Sequence, residues 1–223
     1  MDILILSTSP RASSIGNSKA LAEAFARGIS SAGGTPQVIT LHTDASRETA
    51  VNAYWKAQFV VFVVPVFCEA FPGTSITFLE TLYARHEEDS LPQGMRKIAF
   101  IIHGGLPERS HRSTTVEYAR RLPDMLNGEY AGILNLGNAL RMTFMERARS
   151  ELLDEISNIG AKYMAHHGTL FFPEAEQMAT GDIMTEAEGV AYCKWANRFS
   201  RHISEMQGCT VDLCHRPYAE TNE

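Results

Sequence analysis

The chain of 223 residues carries 20 Lys and Arg against 26 Asp and Glu, for a formal charge of −6 at neutral pH, and 44% of its residues are hydrophobic. That length supports one well-buried domain with an appendage. The acidic balance excludes a nucleic-acid binder, which needs a basic face, and no run of about 18 apolar residues exists to span a membrane.

Taken in chain order, apolar runs alternate with segments of helical periodicity. Ile3–Leu6 is expected as the first strand, and Ser18–Ala32 as the first helix, with Leu21, Ala24, Phe25, Gly28 and Ile29 along one side and Gly33-Gly34 suited to its C-cap. Gln37–Leu41 predicts a short second strand and Arg47–Gln58 a second helix. Phe59–Val64 has no polar residue and does not alternate, as expected of a parallel strand covered on both faces. Thr74–Arg85 predicts a helix, Lys97–Ile102 a fourth strand, and Ser113–Met125 a helix that Pro123 interrupts near its end. Tyr130–Leu136 reads as a fifth strand, followed by a helix from about Phe144 to His166. From about Thr169 the repeat ends, leaving a short apolar segment, Leu170–Pro173, and a helix from Glu186 to about Met206.

Five β-α steps predict an α/β fold, an open five-stranded parallel sheet with helices on both faces. Ligands bind such sheets beyond the carboxyl ends of the strands, where strand order reverses. The loops after strands one, three and four are therefore the informative ones. The first, Ser7-Thr8-Ser9-Pro10-Arg11-Ala12-Ser13-Ser14-Ile15-Gly16-Asn17-Ser18, is long and rich in hydroxyls, with one arginine. Before a helix, such a loop offers N–H groups and a charge-assisted fork to phosphate oxygens. Ser, Asn and Gly there also suit ordinary capping. Neither a dinucleotide fingerprint nor a P-loop is present. After strand three, Pro65-Val66-Phe67-Cys68-Glu69-Ala70-Phe71-Pro72-Gly73 brings aromatic faces on a proline-stiffened loop. After strand four, Gly104-Gly105 allows a flat ligand to approach the backbone. Taken alone, that pair also fits ordinary turn chemistry.

These three loops resemble those of the NAD(P)H-dependent FMN reductases and related flavoproteins of the flavodoxin-like fold. The resemblance covers roughly residues 1–165 and rests on S-T-S-P-R-x-x-S-x-G-N-S, on P-V-F-C-E-A-F-P-G with the following Phe78-Leu79, and on the glycine pair. It implies a three-layer sandwich with a C-terminal helical extension, divided as a flavodoxin-like FMN-binding domain over 1–168 and an extension over 169–223 that packs on the same domain or at a dimer interface. It further implies FMN as cofactor and NADH or NADPH as reductant, with hydride passing to a small acceptor: a quinone, a flavin, an azo or nitro compound, or a metal. Ser9, Arg11, Asn17 and Ser18 match positions around the FMN phosphate, with Ser7 close by. Pro65, Val66, Phe67 and Cys68 match the loop along the isoalloxazine ring, and Gly104 and Gly105 the loop at its polar edge. Phe67 stands where a tyrosine is common, Ile76 where a lysine often stands, and His103 in place of a small hydroxyl residue.

His103 is the candidate proton donor, because an unperturbed imidazole titrates near neutrality; the alternative is a loop histidine that packs or hydrogen-bonds. Cys68 is expected to be a buried, inert thiol. Cys68, Cys193, Cys209 and Cys214 form no C-x-x-C pair, and Cys209, Cys214 and His215 match no common zinc spacing, so no metal is expected. The start lacks the basic and apolar regions of a signal peptide, which predicts a cytoplasmic protein. Surplus apolar residues at Tyr83, Phe171-Phe172 and Tyr192/Trp195 predict a symmetric homodimer. A flavodoxin-type electron carrier and a non-catalytic flavin-binding protein are the competing readings.

Overall fold

The computed structural model describes residues 2–11, 16–88, 95–177 and 184–208. These divide into two compact units, Met1–Met184 and Thr185–Glu223. In the first, strands β1 (Asp2–Ser7), β2 (Thr35–Thr40), β3 (Phe59–Pro65), β4 (Arg96–His103) and β5 (Gly128–Leu136) form one sheet in the order β2-β1-β3-β4-β5. Every pairing is parallel. This is the flavodoxin-like order, and its switch point lies between β1 and β3.

Each central strand is buried on both faces, so hydrophobicity is continuous while side-chain direction alternates. Ile3, Ile5, Val61, Val63 and Ile101 pack with helices α1 (Asn17–Ser31) and α6 (Glu146–Ala165). Leu4, Leu6, Val60, Phe62, Val64 and Phe100 pack on the other face with α2 (Asp44–Tyr54), α3 (Gly73–Glu88) and α4 (Ser110–Met125). The result is the expected three-layer α/β sandwich.

Several boundaries differ from the sequence reading, for local reasons. Helix α2 starts at Asp44 rather than Arg47, because Thr43 and Ser46 form a reciprocal capping box. Pro123 does not interrupt α4, which runs to Met125; a proline in the last turn gives up little of the ladder. The helix expected from about Phe144 to His166 is α6, which starts at Glu146; a short helix the sequence reading did not mark, α5 (Arg141–Phe144), precedes it across the extended Met145. Leu170–Pro173 packs on the first unit. Leu170 donates its N–H to Ala131 O (2.7 Å), and Leu170, Phe172 and Ala175, the last in helix α7 (Pro173–Gln177), join the core of the first unit. Phe172, counted as surplus apolar surface, is therefore buried, whereas Phe171 is 54% exposed.

Helix α8 (Glu186–Met206) belongs to the second unit and starts at a Thr185/Glu188 capping box. Along it Trp195 contacts Tyr192 and stacks on Phe199. Cys209, Cys214 and His215 lie outside the described residues. No helix among the described residues is long and apolar enough to cross a membrane.

Candidate functional site

The first loop leaves β1 at Ser7 and enters α1 at Asn17. Gly16 is the N-cap, and no side chain among the described residues caps the helix, whose first N–H groups have no intrahelical partner. Asn17 and Ser18 are turned to other work than capping. Asn17 Nδ2 donates to Ala139 O (2.9 Å), and Ser18 Oγ lies 2.8 Å from His103 Nε2. Each bond ties the start of α1 to a different strand exit, which fixes the helix end in place. Ser9 Oγ accepts from the Arg11 N–H (3.2 Å), while the Ser7 hydroxyl is fully buried with no partner among the described residues. Ala12 to Ile15 of the motif lie outside the described residues.

The loop after β3 closes in a tight hairpin. Phe67 and Ala70 exchange both backbone hydrogen bonds, at 3.3 and 3.0 Å, across Cys68 (φ 48°) and Glu69 (φ 62°). Two consecutive left-handed non-glycine residues cost roughly 1–2 kcal/mol each. Contacts from α4 hold them there: Thr115 Oγ1 donates to Glu69 O (3.0 Å), and His111 Nδ1 lies 3.6 Å from the Glu69 carboxylate. The turn carries Phe67 and Cys68 to the surface. Cys68 was expected to be buried; the hairpin exposes it.

After β4, the Gly104 N–H donates to Leu136 O and its carbonyl accepts from Ala139 N–H, both at 2.9 Å. The β4 and β5 exits are thereby joined. Behind them lies Arg112, 1% exposed, bonded to Asn135 Oδ1 (2.7 Å) and to the carbonyls of Leu106, Pro107 and Glu108 (3.0–3.3 Å).

These exits surround two adjoining clefts. One, of about 270 Å³, is lined by Ser9, Arg11, Asn17, Ser18, Pro65, Val66, Phe67, His103 and Gly105, with Gly16, Ala139, Leu140 and Thr143. The other, of about 290 Å³, is lined by Val66, Cys68, Glu69, Gly104, Gly105, Leu106, His111 and Arg112. Val66 and Gly105 border both. Of the candidate cofactor-binding residues, all but Ser7 line one cleft or the other; Ser7 is the last residue of β1.

The donor set fits a phosphorylated flavin. A helix N-terminus beside an arginine suits a phosphate monoester. An exposed phenylalanine and a glycine backbone one strand away suit the face and edge of a flat ring.

Sequence reasoning missed the loop after β5. Ala139, Leu140 and Thr143 line the first cleft, and Asn138 stands at φ 53°. The Gly137-Asn138 pair was the available signal, since such pairs mark turns at special backbone angles. Arg112 was missed as well.

His103 is 7% exposed at the cleft wall, and burial lowers its pKa from 6.5 to about 4. At neutral pH the ring is uncharged, and its Nε2 shares a hydrogen bond with Ser18 Oγ. The unfolded chain takes a proton near pH 6.5, the folded chain only near pH 4. Stability is therefore expected to fall by up to about 3 kcal/mol as pH drops across that window, and not to change further from this group outside it. Urea unfolding of the parent and of His103→Asn at several pH values measures the difference; identical slopes for both proteins would exclude His103 as its source.

No protein-family profile matches the chain, and no curated protein matches it. Solved structures do. The Trp repressor binding protein from Bacillus subtilis aligns at 15% identity over 70% of this chain and 97% of its own, with a TM-score of 0.55. The azoreductase from Bacillus anthracis str. Sterne aligns at 16% identity over 72% of this chain and 98% of its own, with a TM-score of 0.52. An NADH:FMN oxidoreductase in its apo form aligns at 16% identity over 83% of this chain and 97% of its own, with a TM-score of 0.50. At such identities the likeness is one of architecture: the first unit of this chain has the flavodoxin-like fold.

Proposed function

We propose that the chain is an FMN-dependent NAD(P)H oxidoreductase, cytoplasmic and homodimeric, which passes hydride from a nicotinamide to a small acceptor such as a quinone, free flavin, azo or nitro compound, or metal ion. One observation carries the reading. The loops after β1, β3 and β4 bring phosphate-type donors, an aromatic wall and a glycine edge to one cleft at the switch point of the sheet. Two of the structural neighbours, an azoreductase and an NADH:FMN oxidoreductase, are reductases by name, which accords with it.

Bound FMN supplies the hydride-accepting chemistry, and the protein supplies binding, orientation and electrostatics. Arg11 and the α1 N–H groups hold the phosphate. Val66 and Phe67 wall the ring, and Pro65 keeps their strand exit from collapsing. His103, uncharged, orients Ser18 at the cradle rather than adding charge to it. Gly105 offers a backbone donor where negative charge develops.

The cofactor is identified by reconstituting the protein, recording its visible spectrum and weighing the flavin released on denaturation. FMN alone is expected, because the cleft has one phosphate cradle. Anaerobic titration with NADH and NADPH then tests the reductase reading: a flavin-loaded protein that neither reduces would exclude it.

The homodimer is supported by exposed apolar residues on each unit. Tyr83 is 60% and Phe171 54% exposed in the first, and Phe199 is 51% exposed in the second. Light scattering at micromolar concentration is expected to give the mass of two chains. A single-chain mass with full nicotinamide oxidation would rule out a site built across a dimer.

A further inference from the structure

We infer that Arg112 is a positioning residue that draws the carbonyls of the loop after β4 inward and so seats Gly105, whose N–H then faces an electron-rich ligand; this rests on the flavin reading above.

The argument begins with where that loop's carbonyls go. Gly104 O accepts from Ala139 N–H (2.9 Å) and Leu106 O from Asn138 N–H (3.0 Å). Arg112 Nη1 also bonds Leu106 O (3.0 Å), Pro107 O (3.3 Å) and Glu108 O (3.1 Å), and Nη2 bonds Pro107 O (3.3 Å). Four carbonyls around the turn are thus drawn toward the interior. All peptides here are trans, and a trans peptide points its N–H opposite to its carbonyl. With Gly104 O turned toward Ala139, the Gly105 N–H points the other way, and Gly105 borders both clefts. That N–H favours negative charge developing beside it, and it is the loop's one such donor derived from these bonds, because the next held peptide ends in Pro107 nitrogen, which carries no hydrogen.

The local sequence is built around this one side chain. A Cβ at Gly104 would stand 3.0 Å from Arg112 Cδ, and one at Gly137 would stand 2.8 Å from Nη2. Both glycines make room for it. Asn135 on β5 orients the guanidinium from behind, accepting from Nε at 2.7 Å. Lysine cannot replace the fork, because a single ammonium cannot bond Asn135 Oδ1 from one side, as Nε does, while also reaching the loop carbonyls as Nη1 and Nη2 do.

The protein contains its own control. Arg96, also buried, donates to Tyr54 O (3.1 Å) and Trp55 O (3.0 Å) at the opposite end of β4, away from the clefts. The test compares Arg112→Lys, Asn135→Leu and Arg96→Lys with the parent. It reads urea unfolding of the apoprotein, affinity for FMN and riboflavin by fluorescence quenching, and the reduction potential of the bound flavin by dye equilibration. Arg112→Lys is expected to bind both flavins about tenfold more weakly and to shift the potential to more negative values. Asn135→Leu is expected to do the same to a smaller extent while keeping the arginine, so the proposal stays testable should Arg112→Lys not fold. Arg96→Lys is expected to lose stability with affinity and potential unchanged. Flavin binding and potential unaltered in both Arg112→Lys and Asn135→Leu would overturn the inference alone. So would equal losses in Arg96→Lys, since the effect would then be general destabilisation. A parent that binds no flavin would overturn the functional reading and this inference with it.

Discussion

Replacing Gly28 by alanine is expected to cost the fold about 3 kcal/mol. A Cβ there would stand 1.8 Å from Ser157 O, 2.7 Å from Ser157 C and 2.8 Å from Ala161 N. From the facing helix, a Cβ at Gly160 would stand 2.3 Å from Phe25 O. The obstacles are backbone atoms, so no rotamer change relieves them; α1 and α6 would have to separate. In an unobstructed helix the same change stabilises by about 1 kcal/mol. Gly189 in α8, whose Cβ would meet nothing within 4 Å, supplies that comparison. Urea midpoints of Gly28→Ala and Gly189→Ala should therefore move in opposite directions. An unchanged midpoint for Gly28→Ala would refute the contact. Because α1 carries Asn17 and Ser18 at its start, the same variant should also loosen phosphate binding.

Arg11→Ala is expected to weaken FMN binding by about 1.5–3 kcal/mol, the contribution of a hydrogen bond to a charged group. The loss should be confined to the phosphate. Arg11 lines the first cleft together with Ser9 and the start of α1, whereas the ring-facing residues Val66 and Phe67 come from a different loop. Riboflavin, which has no phosphate, should bind the variant and the parent equally. Calorimetric titration with both flavins separates the outcomes: equal FMN affinity in variant and parent would remove Arg11 from the cradle.

Much of the fold was legible because the central strands are buried on both faces, which leaves continuous apolar runs such as Phe59–Val64 that little else produces. The three exits singled out from the sequence do meet at two adjoining clefts, since topology alone places the ends of β1, β3 and β4 side by side. What escaped notice depended on tertiary packing. Arg112 sits in Ser-His-Arg-Ser-Thr, which reads as a solvated helix face, and only the folded loop makes it interior. Residues Ala139 and Leu140 contribute backbone and bulk rather than chemistry, so no residue type announced them. Helix α5 escaped notice because a single four-residue turn is too short to show a helical period.

The glycine contact between α1 and α6 also bears on how the protein is made. During synthesis the first helix emerges long before the helix that covers it. At translation rates of about 5–20 residues per second, the apolar face of α1 waits roughly ten seconds for α6. Leu21, Phe25 and Ile29, all fully buried in the finished protein, have no cover from α6 in that interval. The nascent chain thus offers chaperones a sticky early segment. Its cofactor cradle, although encoded among the first residues, gains its rigid seat only after the last core helix has left the ribosome.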